Sequence, residues 1–237
     1  MIDFYFWTTP NGYKPLIMLN ELEINYRILP VNISAGEQFE PAYLGIAPNN
    51  RIPAIVDHTP GDGGEPLALF ESGAILEYLA DKHARFLPTP PRSRFVVLQW
   101  LYWQMGGLGP MAGQNHHFVQ YAPTPIPYAI ERYVNETARL YAVMNKRLAD
   151  QEYLGGEYSI ADMACYPWVV PHRKQRMELA AFPHLQRWFE ALGARPAVAA
   201  AYQQGAAINT TATVTDASRA LLFGQNAATV AQRQEED

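Results

Sequence analysis

Cysteine is nearly absent from this chain of 237 residues, which contains one, Cys165. A disulfide framework, a CxxC redox pair and a cysteine-rich zinc site each need more than one cysteine, so the count excludes all three. A single unpaired thiol suits a reducing compartment, and we therefore expect a cytoplasmic protein. Cys165 follows Ala164 and precedes Tyr166, Pro167 and Trp168, an apolar setting that predicts a buried, unreactive thiol.

Long apolar runs and an excess of basic charge are also missing. The apolar runs fall well short of the ~18 residues of a membrane-spanning helix, so no such helix is expected. The chain has 18 Lys and Arg against 23 Asp and Glu, a net charge of −5. A nucleic-acid or anionic-membrane partner would require a basic face, so neither partner is expected. The amino terminus carries Asp3 and no basic residues, unlike a secretory leader.

The sequence motifs of several enzyme classes are absent. There is no Walker loop, no GxGxxG after a strand, no GxSxG and no HExxH. His116 and His117 are adjacent, and neighbours on a helix point about 100° apart, so one metal ion could not easily bind both. We expect these histidines to be structural and the protein to hold no metal.

The residues that are present predict two folded parts. Hydrophobic residues make up 49% of the chain, enough for a sizeable core. Residues 1–84 have the pattern of an α/β domain with the order βαβ-α-ββα. The alternation of Ile2, Phe4 and Phe6 predicts its first strand. A turn predicts a helix beginning near Gly12, and Ser72 is predicted to cap the last helix.

The rest of the chain is predicted to be helical. A proline-rich linker is expected at 85–92, followed by an all-helical domain at 93–204. Its first helix, which Ser93 would cap, is apolar nearly all round and should be covered by a neighbouring domain or subunit. The segment Gly106–Pro110 should break or bend it. Ser159 and Asp162 have the spacing of a capping box. Residues 205–237 read as a tail that is weakly structured or packed back onto the body.

Two polar residues at the start of the first helix could stabilise a thiolate. Thr9 and Asn11 are donors beside the positive end of a helix, where negative charge is favoured. Their ordinary alternative role is capping and turn formation.

Two further segments offer backbone and side-chain groups to a ligand. Glu71 and Ser72 lie at a strand-to-helix junction that suits an amino-acid headgroup, since Ser72 can bind an anion and Glu71 an ammonium; the alternative is a plain helix cap. Pro53 stands at a strand entrance, where it is either cis, with an exposed backbone edge, or an ordinary trans proline. Gln38 and Arg51 flank the same strand ends, and each alone would be ordinary surface.

Together these segments resemble the glutathione S-transferase family over roughly residues 1–204. The fold that the resemblance implies is a thioredoxin-like domain followed by an all-α domain. Three motifs in this order carry it: Ile52-Pro53-Ala54-Ile55, Phe70-Glu71-Ser72-Gly73-Ala74-Ile75 and the capping box Ser159-Ile160-Ala161-Asp162.

A narrower similarity is to the bacterial Nu class, which is related to the fungal nitrogen-regulator prion protein. Its members are glutathione-dependent disulfide-bond reductases that lack the catalytic tyrosine, serine or cysteine of other transferases. The stretches that carry it are TTPNG at 8–12, SAGEQF at 34–39, PNNRIP at 48–53, GGLGPM at 106–111, GQNHHF at 113–118 and PYAIERY at 127–133.

The resemblance implies a role for each candidate residue. Thr9 and Asn11 would donate hydrogen bonds to the glutathione sulfur, and Tyr5, in the preceding strand, is not expected to activate it. Ile52 would pair its backbone with the cysteinyl unit beside cis-Pro53.

The two ends of the tripeptide would be held by other side chains. Glu71 and Ser72 would bind the γ-glutamyl end, and Gln38 and Arg51 lie where the glycyl end should be. Arg132 would reach in from the helical domain, although an ion pair with the glutamate four residues on is its alternative.

The expected function is reduction of small disulfides by bound glutathione, as one or two molecules or as glutathione disulfide. A chain with one cysteine cannot perform internal dithiol exchange, so the reducing thiols must come from glutathione. The resemblance also implies a homodimer. Two alternatives stay open: conjugation of an electrophile or thiolytic cleavage of an aryl ether by the same thiolate, and a non-catalytic glutathione-binding regulator.

Overall fold

The amino-terminal part of the chain is a four-stranded mixed sheet. A computed structural model of the protein describes residues 1–211 and 214–234. The strands are β1 (Ile2–Phe6), β2 (Tyr26–Pro30), β3 (Ala54–Asp57) and β4 (Leu67–Phe70). Their order is β2-β1-β3-β4, with β1 parallel to β2 and antiparallel to β3, and β3 antiparallel to β4.

Three helices complete this part of the molecule: α1 (Pro10–Leu22), α2 (Pro41–Leu44) and α3 (Ser72–His83). The element order is therefore the predicted βαβ-α-ββα, and the predicted fold class is confirmed. Phe4 and Phe6 of β1 and Leu16 and Leu19 of α1 are fully buried, because every second residue of the strand and one stripe of the helix face the same core.

The remainder of the chain is helical, as predicted. A nearly continuous helical rod runs through α4 (Pro91–Trp103) and α5 (Gly109–His116), with π-helical turns at Gln104–Leu108 and His117–Tyr121. The interruption expected at Gly106–Pro110 therefore takes the form of a π-turn. Four further helices follow: α6 (Pro127–Arg147), α7 (Ile160–Val169), α8 (Pro183–Gly193) and α9 (Pro196–Ile208).

Three predicted helix starts were misplaced. Helix α1 begins at Pro10 and not near Gly12, and α4 begins at Pro91, so that Ser93 lies inside it and donates its hydroxyl to the Pro90 carbonyl at 3.1 Å. A proline has a helical φ and lacks the N–H that would be orphaned in the first turn, so both helices start at their prolines. Ser72 is the first residue of α3 and not its cap.

A capping box anchors α7 in the core, as predicted. The buried Asp162 carboxylate accepts hydrogen bonds from the Ser159 amide (3.0 Å), the Leu154 amide (3.0 Å) and the Trp188 indole (2.8 Å). Burial nevertheless raises the pKa of Asp162 to about 6. The bond from the Ser159 amide closes the capping box at the start of the helix, and the bonds from Leu154 and Trp188 hold α7 against the preceding loop and α8.

Residues 216–223 of the predicted tail pack onto the body, where the Phe223 ring contacts His117 and Tyr121. Helix α9 continues beyond residue 204 to Ile208, so the change in composition does not coincide with its end. Two short helices follow, α10 (Asp216–Phe223) and α11 (Ala227–Gln234), while residues 212–213 and 235–237 of the predicted tail lie outside the described residues. The boundaries at 84, 92 and 204 stay predictions. Among the described helices, none has the length and apolar character needed to cross a membrane.

Candidate active site

Five of the predicted site residues line one large cavity. Thr9, Asn11, Arg51, Glu71 and Ser72 surround a space of about 1390 Å³ between the sheet end and the helical part. This volume exceeds the roughly 300–1,000 Å³ of pockets that hold one small ligand, so the cavity has room for two ligands side by side.

Asn11 has its amide orientation fixed by an indole. Trp168 Nε1 donates to Asn11 Oδ1 at 2.9 Å. An indole N–H only donates, so the Asn11 oxygen must face it and the amide nitrogen is left as a donor on the other side. Trp168 itself lies against glycines, since a methyl group at Gly113 would sit 3.1 Å from its ring. The glycines of α5 thus allow the close approach that orients Asn11.

Thr9 is both a helix cap and a potential donor. Its Oγ1 accepts from the Gly12 amide at 3.3 Å, which satisfies one orphan N–H of α1. A hydroxyl that accepts in this way keeps its proton for a second bond. The capping role considered for Thr9 is therefore real, and it leaves the hydroxyl able to donate to a ligand at the positive end of α1.

The junction of β4 and α3 has an unusual backbone. Glu71 adopts φ 70° and ψ 114°, in the positive-φ region that costs a non-glycine residue about 1–3 kcal/mol. The exposed Glu71 is followed by Ser72, which is 6% exposed and stands at the first position of a 12-residue helix. A carboxylate and the positive end of a helix thus adjoin at the cavity wall, an arrangement suited to a zwitterionic headgroup.

The peptide bond between Ile52 and Pro53 is cis, so the structure adopts the first of the two conformations considered for this proline. Both residues are buried beside the start of β3. The preceding carbonyl, that of Arg51, accepts a hydrogen bond from the Tyr43 hydroxyl at 2.7 Å. Tyr43 thereby holds the backbone of this segment at the cavity edge.

Gln38 and Arg132 are not among the described lining residues, although Ile33, which Gln38 contacts, is one of them. Gln38 is 2% exposed and donates its amide to the Ile33 carbonyl at 3.2 Å. Arg132 lies on α6 with its side chain 57% exposed, and its guanidinium is 3.8 Å from the Glu136 carboxylate. Ile52 and Pro53 are also outside the described cavity lining. The ion pair considered as the alternative for Arg132 is present, and glutathione contacts by Gln38 and Arg132 stay predictions.

The opposite wall of the cavity was not predicted from the sequence. His116 and His117 lie there with Tyr121 and with Phe223 of α10, whose ring centroid is 4.7 Å from that of His117 and 5.8 Å from that of Tyr121. Burial lowers the pKa of His116 to about 4, so the imidazole is neutral near pH 7. The wall is therefore largely aromatic, and cationic side chains lie near it: Arg173 and Lys174 also line the cavity, and the Arg219 guanidinium bonds the Tyr121 carbonyl.

Lys14 and Gln104 are further lining residues that sequence reasoning missed. Lys14 follows Asn11 by three positions on α1, so the two residues share one face of the helix. This spacing is the sequence signal that could have placed Lys14 at the cavity.

The protein has no thiol of its own in this cavity. Cys165, its single cysteine, is 0% exposed on α7, and burial raises the pKa of its thiol. In the part of the chain that the structure describes, no group of three or more His, Cys, Asp or Glu side chains is placed to bind a metal ion. The cavity offers hydrogen-bond donors and charges, and any reacting thiol must come from a ligand.

The fold and this cavity define a glutathione transferase. Residues 1–81 match the family model of the glutathione S-transferase N-terminal domain, and residues 129–196 match that of the C-terminal domain. The chain belongs to this family.

Two bacterial proteins are closely similar in sequence. The disulfide-bond oxidoreductase YfcG of Escherichia coli is 59% identical over 198 residues, which cover 83% of this chain and 92% of YfcG. The disulfide-bond oxidoreductase YghU of the same organism is 38% identical over 83% of this chain and 72% of its own length. The Nu-class resemblance is thereby confirmed.

Solved structures of related proteins contain glutathione. A family member from Pseudomonas fluorescens with two glutathione molecules bound has a TM-score of 0.80 and 43% identity, covering 84% of this chain and 91% of that one. A glutathione transferase from Pseudomonas putida with one glutathione disulfide bound per subunit also has a TM-score of 0.80, with 39% identity over 84% and 90% of the two chains.

Proposed function

We propose that this protein is a glutathione-dependent disulfide-bond reductase that acts on small disulfides. The observation that carries the proposal is a cavity with two oriented donors, Thr9 and Asn11, beside a helix start, and no protein thiol within reach. The 59% identity to a disulfide-bond oxidoreductase supports the same activity.

The reaction needs two glutathione molecules and balances without another reductant. The thiolate of the first attacks one sulfur of the disulfide, forming a mixed disulfide and releasing the other half as a thiolate that takes up a proton. The thiolate of the second attacks the glutathione sulfur of the mixed disulfide, forming glutathione disulfide and releasing the second thiol. The two electrons that reduce the substrate come from the two glutathione thiols.

The binding roles that we propose are those that the family resemblance implies. Thr9 and Asn11 hydrogen-bond the sulfur, and the start of α1 favours its negative charge. The Ile52 backbone, beside cis-Pro53, pairs with the cysteinyl unit. The second glutathione or the disulfide substrate occupies the aromatic half of the cavity.

The charged ends of the tripeptide fall to other residues in this proposal. Glu71 and Ser72 hold the γ-glutamyl headgroup, with its ammonium on the carboxylate and its carboxylate at the helix start. Arg51 and Gln38 hold the glycyl end, and Arg132 approaches from α6. We further propose a cytoplasmic location, since the lone buried thiol suits a reducing compartment, and a homodimer, which the family resemblance implies.

The direct test is turnover of 2-hydroxyethyl disulfide by glutathione, followed by coupled reduction of the glutathione disulfide formed. We expect saturable turnover above the uncatalysed rate. 1-Chloro-2,4-dinitrobenzene and an aryl ether serve as parallel substrates for the same thiolate. Faster turnover of either would favour conjugation or ether cleavage, and glutathione binding with no turnover of any of the three would indicate a regulator.

A further inference from the structure

A lysine lies at the floor of the cavity, where the proposed mechanism gives it no role. Lys14 is 2% exposed, yet it lines the same space as Asn11 and Ser72. Lysine is almost never fully buried unless it is paired, because the ammonium loses its hydration.

The contacts of Lys14 are all neutral. Its Nζ donates to Gln104 Oε1 at 2.8 Å and to Ser72 Oγ at 3.4 Å, and it lies 3.7 Å from Met105 Sδ. Among the described residues no carboxylate lies within ion-pair distance of it. Burial lowers the pKa of Lys14 to about 7; the titratable groups that act against this shift are Cys165 from α7 and Glu71 from the β4–α3 junction.

A second observation concerns a buried donor beside Lys14. Gln104 Nε2 is buried and has no hydrogen-bond partner in the described part of the chain. The Gln104 oxygen accepts the hydrogen bond from Lys14 Nζ, so the orientation of the amide group is fixed and its NH₂ group remains without an acceptor among these residues. Three groups of the cavity lining thus have a donor or positive charge to offer: the lysine, the glutamine amide and the start of α3 at Ser72. An acceptor with negative charge would satisfy all three.

Within the proposed function, the ligand group that belongs beside Ser72 is the α-carboxylate of the γ-glutamyl unit. We propose that Lys14 is a binding residue for this carboxylate, with Ser72, and that it takes up a proton as the carboxylate enters. The inference deepens the proposed function and rests on it. The unligated site then has a partly neutral lysine, and ligand binding restores its charge.

The proposal makes a quantitative statement about the unaltered protein. At pH 7.5 a lysine with a pKa of about 7 is mostly neutral, whereas one paired with a carboxylate is charged. Binding should therefore be accompanied by uptake of up to about three quarters of a proton. Calorimetric titration in buffers of different ionisation enthalpy counts this proton. The probe is S-methylglutathione, because it has no thiol that could release a proton of its own.

Two substitutions locate the proton. Lys14→Met removes the titrating group at similar length, and we expect it to abolish proton uptake and to weaken S-methylglutathione about 10- to 100-fold. Lys14→Arg is the matched control: it keeps a permanent charge, so binding should persist without proton uptake. A decarboxylated analogue, γ-aminobutyryl-S-methylcysteinylglycine, should bind the wild-type protein and Lys14→Met alike and take up no proton.

The outcomes separate this inference from the proposed function. Binding of S-methylglutathione to the wild-type protein with no proton uptake would overturn the role of Lys14 and leave the glutathione site in place. Uptake that persists in Lys14→Arg would assign the proton to another group and would also overturn it. Failure of the wild-type protein to bind S-methylglutathione would instead contradict the glutathione site itself. The wild-type measurement decides the question even if Lys14→Met does not fold.

Discussion

The chemistry proposed here rests on two short side chains whose remaining bonds are already assigned. Thr9 accepts from a backbone amide, and Asn11 accepts from the Trp168 indole, so each has donor capacity left over. A hydrogen bond to a charged acceptor contributes about 1.5–3 kcal/mol, more than one between neutral groups. Two such bonds are enough to shift a thiol with a pKa near ~8.5 toward its thiolate at neutral pH.

Thr9→Ala and Asn11→Ala should each slow disulfide turnover about 10-fold, and the double variant should be slower still. The pKa of bound glutathione should rise in the double variant, as measured by the thiolate absorbance in a pH titration. Tyr5→Phe is the control, because Tyr5 packs against Tyr43 with a centroid distance of 5.7 Å and is not among the described lining residues. Loss of the thiolate in Tyr5→Phe but not in the double variant would make the protein a tyrosine-type transferase.

Cys165→Ser should keep glutathione-dependent turnover within a few-fold of the wild-type rate. The thiol is fully buried on α7 and its pKa is raised, so it is neither accessible nor ionised near pH 7. Some stability should be lost, because a hydroxyl in an apolar site lacks partners. Steady-state rates and a thermal melt measure the two effects separately, and an inactive variant that is still folded would refute the site assignment.

Residue types at the site could be predicted from the sequence, but their partners could not. Thr9, Asn11, Glu71 and Ser72 stand next to turn and helix-start signals that are local in the chain. The partner of Asn11 is Trp168, which is 157 positions away, and only the packing of α7 on α1 brings the two together. Lys14 was missed for a related reason, since a lysine in a helix is ordinarily exposed.

At the scale of elements, the tail is the part of the fold that the sequence described least. The change in composition at residue 205 predicted either weak structure or packing on the body. The sequence pattern of the tail did not indicate which surface it would contact. In the structure Leu222 and Phe223 of α10 line the cavity. The Phe223 ring packs edge-to-face against His117. On the other side, the Leu221 methyl groups lie 3.9 Å from the position that a Cβ atom would take at Gly36. The helix thus bridges the two parts of the molecule.

Phe223→Ala should weaken a disulfide with an apolar substituent and leave glutathione binding unchanged. The exposed ring forms part of the aromatic wall, and losing its apolar contact should raise the KM for the disulfide about 5-fold, with the KM for glutathione within 2-fold. Val230→Ala on α11 is the matched control, because Val230 is also an exposed apolar side chain but is not in the described lining. Equal effects of the two substitutions would exclude α10 from the substrate site.

At the scale of the whole molecule, one side of α4 is exposed to solvent. Phe95 and Tyr102, seven residues apart on α4, are 66% and 60% exposed, and Leu67 and Phe70 of β4 are also exposed. The sequence predicted that α4 would need a covering neighbour, and in the described part of the chain its buried residues are Val97, Leu98 and Leu101. An exposed apolar face of this kind is typical of a subunit interface.

Phe95→Glu should therefore convert a dimer into a monomer, because it would bury a carboxylate at the centre of the contact. Sedimentation equilibrium across a range of protein concentrations measures the change. Tyr128→Glu is the control: Tyr128 is 80% exposed at the start of α6, and its replacement should leave the dimer intact. A monomeric wild-type protein would contradict the predicted homodimer directly.

The buried position of Lys14 has a consequence for the folding equilibrium. In the unfolded chain its pKa is near the ordinary 10.5, and in the folded protein it is about 7. Between these values the unfolded state binds more protons, so this residue makes the free energy of unfolding rise with pH. The slope from this one group is at most about 1.4 kcal/mol per pH unit. Below about pH 7 both states carry the proton, and the slope disappears.

Lys14→Met should therefore differ from the wild-type protein in the pH dependence of its stability. The melting temperature of Lys14→Met minus that of the wild-type protein should be highest near pH 7 and should fall as the pH is raised to 9. The reason is that the buried positive charge, which destabilises the folded wild-type protein, is progressively lost over this range. Thermal melts at matched ionic strength measure this, and parallel curves for the two proteins would refute it. A side chain that serves ligand binding thus makes the unligated protein less stable near neutral pH. Binding of glutathione would offset this loss of stability.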